Sequence, residues 1–209
     1  MHEGVFIRNA FHFLPPEKLQ ALPYNISVGF HPWLLNKIDF KIAHKYLAHA
    51  SKLKNVMAIG EAGFDNVAHV PLVLQYAFFE LQIAIAIQCQ RPIIIHCVRA
   101  YHLLLPYIKK NNTVIFILHA YSADEGTTKK LLQYENVFFS FGKNMFHRTM
   151  IDKQKKLMHM IPLQKLFFET DNSTLHIEKV YEVAASFLKL EMQQLKVETE
   201  KNYLDIFKK

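Results

Sequence analysis

Short apolar runs alternate along the chain with longer segments in which apolar positions recur every three or four residues. The short runs are GVFIRN (4–9), ISVGF (26–30), VMAIG (56–60), PIIIH (92–96), VIFIL (114–118), VFFSF (137–141) and LFFE (166–169). Most are near-continuous stretches of β-branched and aromatic residues, the pattern of strands buried on both faces. Helices are predicted near 37–53, 72–90, 99–110, 124–133, 147–160, 176–191 and 196–207. The clearest opens at Pro71, which suits a first helical turn because its missing N–H costs nothing there. Leu74, Phe78, Leu81 and Ile85 then form one apolar face. Ser122, Asp124 and the pair Asn172-Ser173 are expected caps at other helix starts.

Strand and helix alternating over the whole length predict an α/β fold with parallel strands and helical crossovers. Two arrangements fit. A (β/α) TIM-type barrel needs eight strands, and seven are recognisable; an open doubly wound sheet tolerates seven. The dinucleotide-binding form of the open sheet wants a glycine-rich turn after its first strand, and Asn9-Ala10-Phe11-His12 is nothing like that turn. No Ser/Gly-rich linker divides the chain, so residues 1–209 are expected to form a single domain. That length is short for a barrel enzyme, which typically runs to about 250 residues.

The polar residues at the predicted strand ends favour the barrel. His31 follows ISVGF, Glu61 follows VMAIG, His96 ends PIIIH, His119 follows VIFIL, and Asp171 follows LFFE after one threonine. Singly, each has an ordinary structural explanation, as a hydrogen-bonded histidine or a helix cap. Asp65 fits a turn or cap better than a ligand. Together they are five metal-compatible side chains at five strand ends, and in a parallel barrel those ends converge on one mouth. A mixed nitrogen and oxygen set of this kind holds zinc, manganese or magnesium. His12, His44, His49, His69, His102, His147, His159 and His176 fall in helices or loops and read as surface or core histidines.

The formal net charge of +7, with a pI near 9.3, suits a polyanionic partner such as nucleic acid, although an ordinary basic surface accounts for it as well. The excess sits in short runs, Lys109-Lys110, Lys129-Lys130, Lys153 with Lys155-Lys156, and Lys208-Lys209, the last expected at a solvated helix end. Two cysteines, Cys89 and Cys97, make no disulfide framework, and a reducing cytoplasm is the simple expectation. The N-terminus lacks the pattern of a signal peptide. The apolar stretch 81–87 is short and interrupted by Gln82, so no membrane span is expected.

GFHPW (29–33), AIGEAGFD (58–65), the helix from Gln75 to Ala84, PIIIHCVRA (92–100), HAYS (119–122), SFG (140–142) and FETDNS (168–173) occur in the order found in the TatD-type metal-dependent deoxyribonucleases. The chain resembles that family from about residue 26 to the segment Asn202–Phe207. The resemblance implies an amidohydrolase-like (β/α) barrel that hydrolyses phosphodiester bonds in DNA with one or two divalent ions, magnesium, manganese or zinc. It implies that Glu61, His96, His119 and Asp171 are metal ligands, with Asp171 also helping to activate the water. His31 matches the histidine of the family's GxHP motif, placed near the scissile phosphate. Arg99 corresponds to a phosphate-binding arginine but lies one residue later than in the usual IHxR pattern. Such chemistry is coherent: a divalent ion acidifies water and polarises the phosphoryl group, and a nearby aspartate accepts the proton.

The family's first strand ends in an H-x-H pair that supplies two more ligands, and this sequence contains no such pair near its start. Phe11-His12-Phe13-Leu14 holds a single histidine after a different strand. Seven strands instead of eight and the missing pair thus describe one absence, that of the first strand. The chain is expected to bind one divalent ion weakly and to have low nuclease activity. Other possibilities at this stage are a related hydrolase acting on a small amide or ester, a degenerate barrel with a binding or scaffold role, and an open sheet that binds a nucleotide.

Overall fold

The computed structural model describes residues 6–10 and 14–207. The predicted strand 4–9 is therefore described only from Phe6 onward, and His12 and the pair Lys208-Lys209 lie outside the described residues. The chain divides into two units, Met1–Phe116 and Ile117–Lys209.

In the first unit the elements are β1 (Arg8–Asn9), α1 (Pro16–Gln20), β2 (Ile26–Val28), a 3-10 segment (Pro32–Lys37), α2 (Phe40–Ala50), β3 (Val56–Asp65), α3 (Leu72–Cys89), β4 (Ile93–Val98) and α4 (Tyr101–Lys110). The strands lie side by side in chain order, each parallel to the next. Ile26, Val28, Ala58, Ile59, Phe64, Ile93 and Ile95 from these strands are buried with Phe78 and Phe79 of α3. Sheet residues covered in this way explain the continuous apolar runs.

α3 carries Phe78, Leu81 and Ile85 into the core as its spacing predicts, and buries Gln75 and Gln82 beside them. Both glutamines are spent on backbone. Gln82 accepts from the Phe30 N–H at 2.7 Å and donates to the Phe30 carbonyl at 3.2 Å. Gln75 accepts from the Asp65 N–H at 2.7 Å and donates to the carbonyls of Asp65 and Val70 at 3.1 and 2.9 Å. These bonds satisfy backbone groups beyond the regular ladder, where an unpaired buried amide is costly. By length and composition α3 could cross a bilayer, but its buried face packs against β3 as a core helix does.

β3 is longer than expected. It runs from Val56 to Asp65, so Glu61 lies inside the strand and not after it. Its pairing with β4 slips between Ile59 and Ala62: Ile59 pairs with Ile93 and Ala62 with Ile95. Three steps on β3 thus match two on β4, a bulge at Gly60-Glu61 that re-aims the Glu61 side chain. Gly63 (φ +147°) pairs with His96 so closely that a Cβ there would stand 2.0 Å from the His96 carbonyl oxygen.

The second unit contains β5 (Phe116–Leu118), α5 (Glu125–Leu131), β6 (Val137–Phe141), a 3-10 turn (Lys143–Phe146), α6 (Ile151–Met160), a 3-10 turn (Leu163–Lys165), β7 (Leu166–Phe168), α7 (Ile177–Leu188) and α8 (Met192–Phe207). β6 and β7 are parallel, and the Tyr121 N–H after β5 donates to the Ser140 carbonyl of β6 at 2.9 Å. Tyr121, Phe139 and Phe141 are fully buried, with edge-to-face ring contacts at 4.8 and 5.9 Å.

Helix limits correct several expectations. Asp124, and not Ser122, is the cap of α5, its Oδ1 accepting from the Thr127 N–H at 2.8 Å. α7 starts after His176, so Asn172-Ser173 form a turn instead of a cap; Ser173 Oγ donates to the Thr170 carbonyl. α2 starts at Phe40, three residues later than predicted, because Asp39 caps it through the Ile42 N–H. α4 starts at Tyr101 because Arg99 takes a left-handed backbone (φ 52°).

Two outcomes follow from these contacts. Gly63→Ala forces a Cβ against the β4 backbone and should cost roughly 3 kcal/mol, lowering Tm by about 6–12 °C in a thermal melt. Asp124→Ala should cost about 1 kcal/mol at neutral pH. Its hydrogen bonds from Thr127 hold the Asp124 carboxyl below the usual carboxylate range. The wild-type advantage is therefore complete above about pH 4 and shrinks as the pH falls through the lowered pKa; denaturant titrations at pH 7 and pH 3 measure both.

Candidate metal centre

In the first unit β2, β3 and β4 bring three of the expected residues together. Ligand atoms of His31, Glu61 and His96 all lie within 4.8 Å of one another, and all three side chains are buried. Glu61 Oε2 is 3.7 Å from His31 Nε2 and 4.0 Å from His96 Nδ1. Its other oxygen accepts from Asn9 Nδ2, at the end of β1, at 2.6 Å.

The hydrogen-bond pattern assigns the protons of both rings in their neutral forms. The Trp33 N–H donates to His31 Nδ1 at 3.2 Å, which puts the His31 proton on Nε2. That Nε2–H faces His96 Nδ1 at 3.1 Å. His96 Nε2 in turn donates to Asp65 Oδ2 at 3.0 Å. In this pattern the His31 N–H takes up the lone pair of His96 Nδ1, so one histidine donates to the other, and Glu61 Oε2 faces both rings.

Asp65 holds the end of this relay. Besides His96 it accepts from Trp33 Nε1 at 2.7 Å, and its Oδ1 accepts from the N–H groups of Val67 and Ala68 at 2.8 and 3.1 Å. Burial would raise its pKa, but the bonds from His96, Trp33 and Val67 outweigh it and hold the carboxyl below its ordinary value. The sequence-based reading of Asp65 as a turn residue captures only the two backbone bonds. Its larger part is to orient His96, as carboxylates behind metal-binding imidazoles do.

The second unit repeats the device. His119, just after β5, has its Nδ1 2.9 Å from Glu169 Oε1. Glu169 also accepts from the Ala120 N–H at 3.0 Å and from the Ser140 hydroxyl. Burial pushes the Glu169 pKa up, but the charge and hydrogen bond of His119 and the Ser140 bond bring it below its usual value. An ionised Glu169 fixes the His119 proton on Nδ1 and places the ring's lone pair on Nε2. Asp171, in a left-handed backbone (φ 47°), is paired with Lys143 Nζ at 2.6 Å. Burial opposes its ionisation, yet Lys143 and His119 hold its pKa below normal.

Arg99, the expected phosphate contact, is exposed after β4, and its carbonyl accepts from Asn66 Nδ2 at 2.7 Å. Asn9, Lys143 and Glu169 were not singled out from sequence. Glu169 carried a signal: it stands two residues before Asp171, and alternation along an extended segment puts such a pair on one side. Gln75 and Gln82 carried another, being polar positions seven apart on an otherwise apolar helix face.

The donor types suit a divalent ion: imidazole nitrogen and carboxylate oxygen, with His96 oriented by Asp65 and His119 by Glu169, match the ligand types of zinc, manganese and magnesium sites. Replacing Asp65 by Asn keeps the shape and removes the charge behind His96. Mn²⁺ affinity measured by calorimetry should fall about 10–100-fold; an unchanged titration would show that Asp65 serves only the turn.

The sequence profile of the family described as TatD related DNase matches residues 18–208. Relatives include a metal-dependent hydrolase of Buchnera aphidicola, 28% identical over 155 residues, which cover 70% of this chain and 58% of that protein. The 3'-5' ssDNA/RNA exonuclease TatD of Pantoea ananatis is 25% identical over 155 residues, covering 69% of this chain and 56% of its own length. The chain thus spans less than two thirds of these relatives. Among solved structures, a TatD homologue from Escherichia coli superposes with a TM-score of 0.86 at 19% identity, over 99% of this chain and 87% of the other. That likeness shows the fold, an α/β chain of the (β/α) TIM-barrel type with seven strands.

Proposed function

Because the chain belongs to the TatD related DNase family of metal-dependent hydrolases, we propose that it cleaves phosphodiester bonds in DNA, using water activated at a divalent ion. The observation that carries this reading is that two histidines of the matching motifs are each oriented by a carboxylate, His96 by Asp65 and His119 by Glu169. By the family resemblance, the residues that would hold an ion are Glu61 and His96 of the first unit and His119 and Asp171 of the second. Such an ion, when bound, acidifies water and polarises the phosphoryl group.

The chain's own groups supply the rest. His31, which matches the histidine of the family's GxHP motif, stands near the scissile phosphate. Asp171, kept ionised by Lys143 and His119, accepts the proton of the attacking water. Asn9 fixes the orientation of Glu61. Arg99, exposed beyond β4, contacts the phosphate backbone farther along the strand. The net charge of +7 draws a polyanion toward these groups. The nuclease activity named for the Pantoea ananatis relative supports the same substrate class. Two cysteines without a disulfide suit a reducing, cytoplasmic setting.

With Mn²⁺, the protein should release nucleotides from single-stranded DNA. Asp171→Ala should lower that rate about 100-fold or more and abolish the Mn²⁺ binding heat. Turnover of small esters with no nucleotide release would replace this reading by that of a small-molecule hydrolase. Identical Mn²⁺ titrations for the wild type and the mutant would remove Asp171 from the ligand set.

A further inference from the structure

Trp33 stands beside the first donor set with 61% of its surface exposed. Its ring centroid is 4.8 Å from that of His31 and 5.9 Å from that of His96, edge-on to both. Its indole N–H is anchored on Asp65 at 2.7 Å. A surface indole normally keeps rotamer freedom that a ligand must remove on binding; here the anchor has already removed it. The same carboxylate positions a second apolar side chain, because its Oδ1 accepts from the N–H of Val67, which is 57% exposed. Leu34, next to the indole in sequence, is 37% exposed. The hydrogen-bonding edge of the indole is thus turned inward, and apolar surface is left facing solvent next to the His31 ring.

An exposed, rigid aromatic beside the GxHP histidine matches the way single-stranded nucleic acid is held: backbone charge is met by polar groups, and bases stack on aromatic side chains. Stacking needs an accessible base face, which a base inside a duplex does not offer. Resting on the phosphodiesterase reading above, we infer that Trp33 is the stacking platform for the nucleobase flanking the scissile phosphate. The ring supplies the affinity, and the Asp65 anchor couples its position to that of His96.

Trp33 is the only tryptophan of the chain, so its emission reports on this position alone. A phosphorothioate-linked oligothymidylate of about ten nucleotides, within the usual span of a single-strand site, added with Mg²⁺ should quench that emission saturably. A base-free deoxyribose-phosphate oligomer of equal length should bind roughly tenfold more weakly and leave the emission unchanged. By anisotropy of a labelled oligothymidylate, Trp33→Leu should lose roughly tenfold in affinity. Trp33→Phe, which keeps a ring but loses the anchor, should retain most of it. Binding of both oligomers with unaltered emission, or undiminished affinity in Trp33→Leu, would overturn the stacking role and leave the phosphodiesterase reading standing. Binding of neither oligomer would overturn both.

Discussion

Asp65 takes four hydrogen bonds, from an indole, an imidazole and two backbone amides, while only 2% of its surface is exposed. A buried carboxylate left without partners costs several kcal/mol, so each partner is held where the charge needs it. That requirement fixes the His96 ring, and through the His96–His31 contact the tautomer of His31 as well. It also fixes the turn after β3 and the indole of Trp33. The backbone of Asp65 is secured separately by Gln75 of α3. A helix packed on the sheet therefore sets the position of the carboxylate, and the carboxylate sets the geometry of the candidate centre.

Glu169 applies the same principle in the second unit with different neighbours. It binds His119, the Ala120 amide and Ser140. Gly142 makes room, since a Cβ there would stand 2.7 Å from the Glu169 carbonyl oxygen. In both units a histidine is oriented by an ionised carboxylate from another strand: Asp65 of the adjacent β3 holds His96 of β4, and Glu169, just after β7, holds His119, just after β5. Orientation of this kind raises the basicity of the outward nitrogen and spares a metal the entropy of ordering a loose ring.

β3 shows how local backbone serves the site. A regular strand would have placed Glu61 by strict alternation with its neighbours. The bulge at Gly60-Glu61 breaks the alternation, so Glu61 reaches both His31 and His96. Gly63 then lets β3 and β4 approach closely enough for His96 to meet Asp65.

Much was legible from the order of residues. The strands, most of the helices and the α/β class follow from runs of apolar side chains, and His31, Glu61, His96, His119 and Asp171 stand out as polar residues at or near the ends of five of those runs. Those are local properties, because burial on both faces selects a continuous apolar segment and a helix selects a spacing near 3.6 residues. The partners of those residues were not legible. Nothing near His96 in sequence designates Asp65, 31 positions away, and nothing near His119 designates Glu169, 50 positions away. Asp65 reads as a turn residue and Glu169 as the end of a strand, because a carboxylate carries no mark of what it will face. Only parallel packing of distant strands brings each one behind an imidazole, and that contact decides which nitrogen of each ring carries the proton.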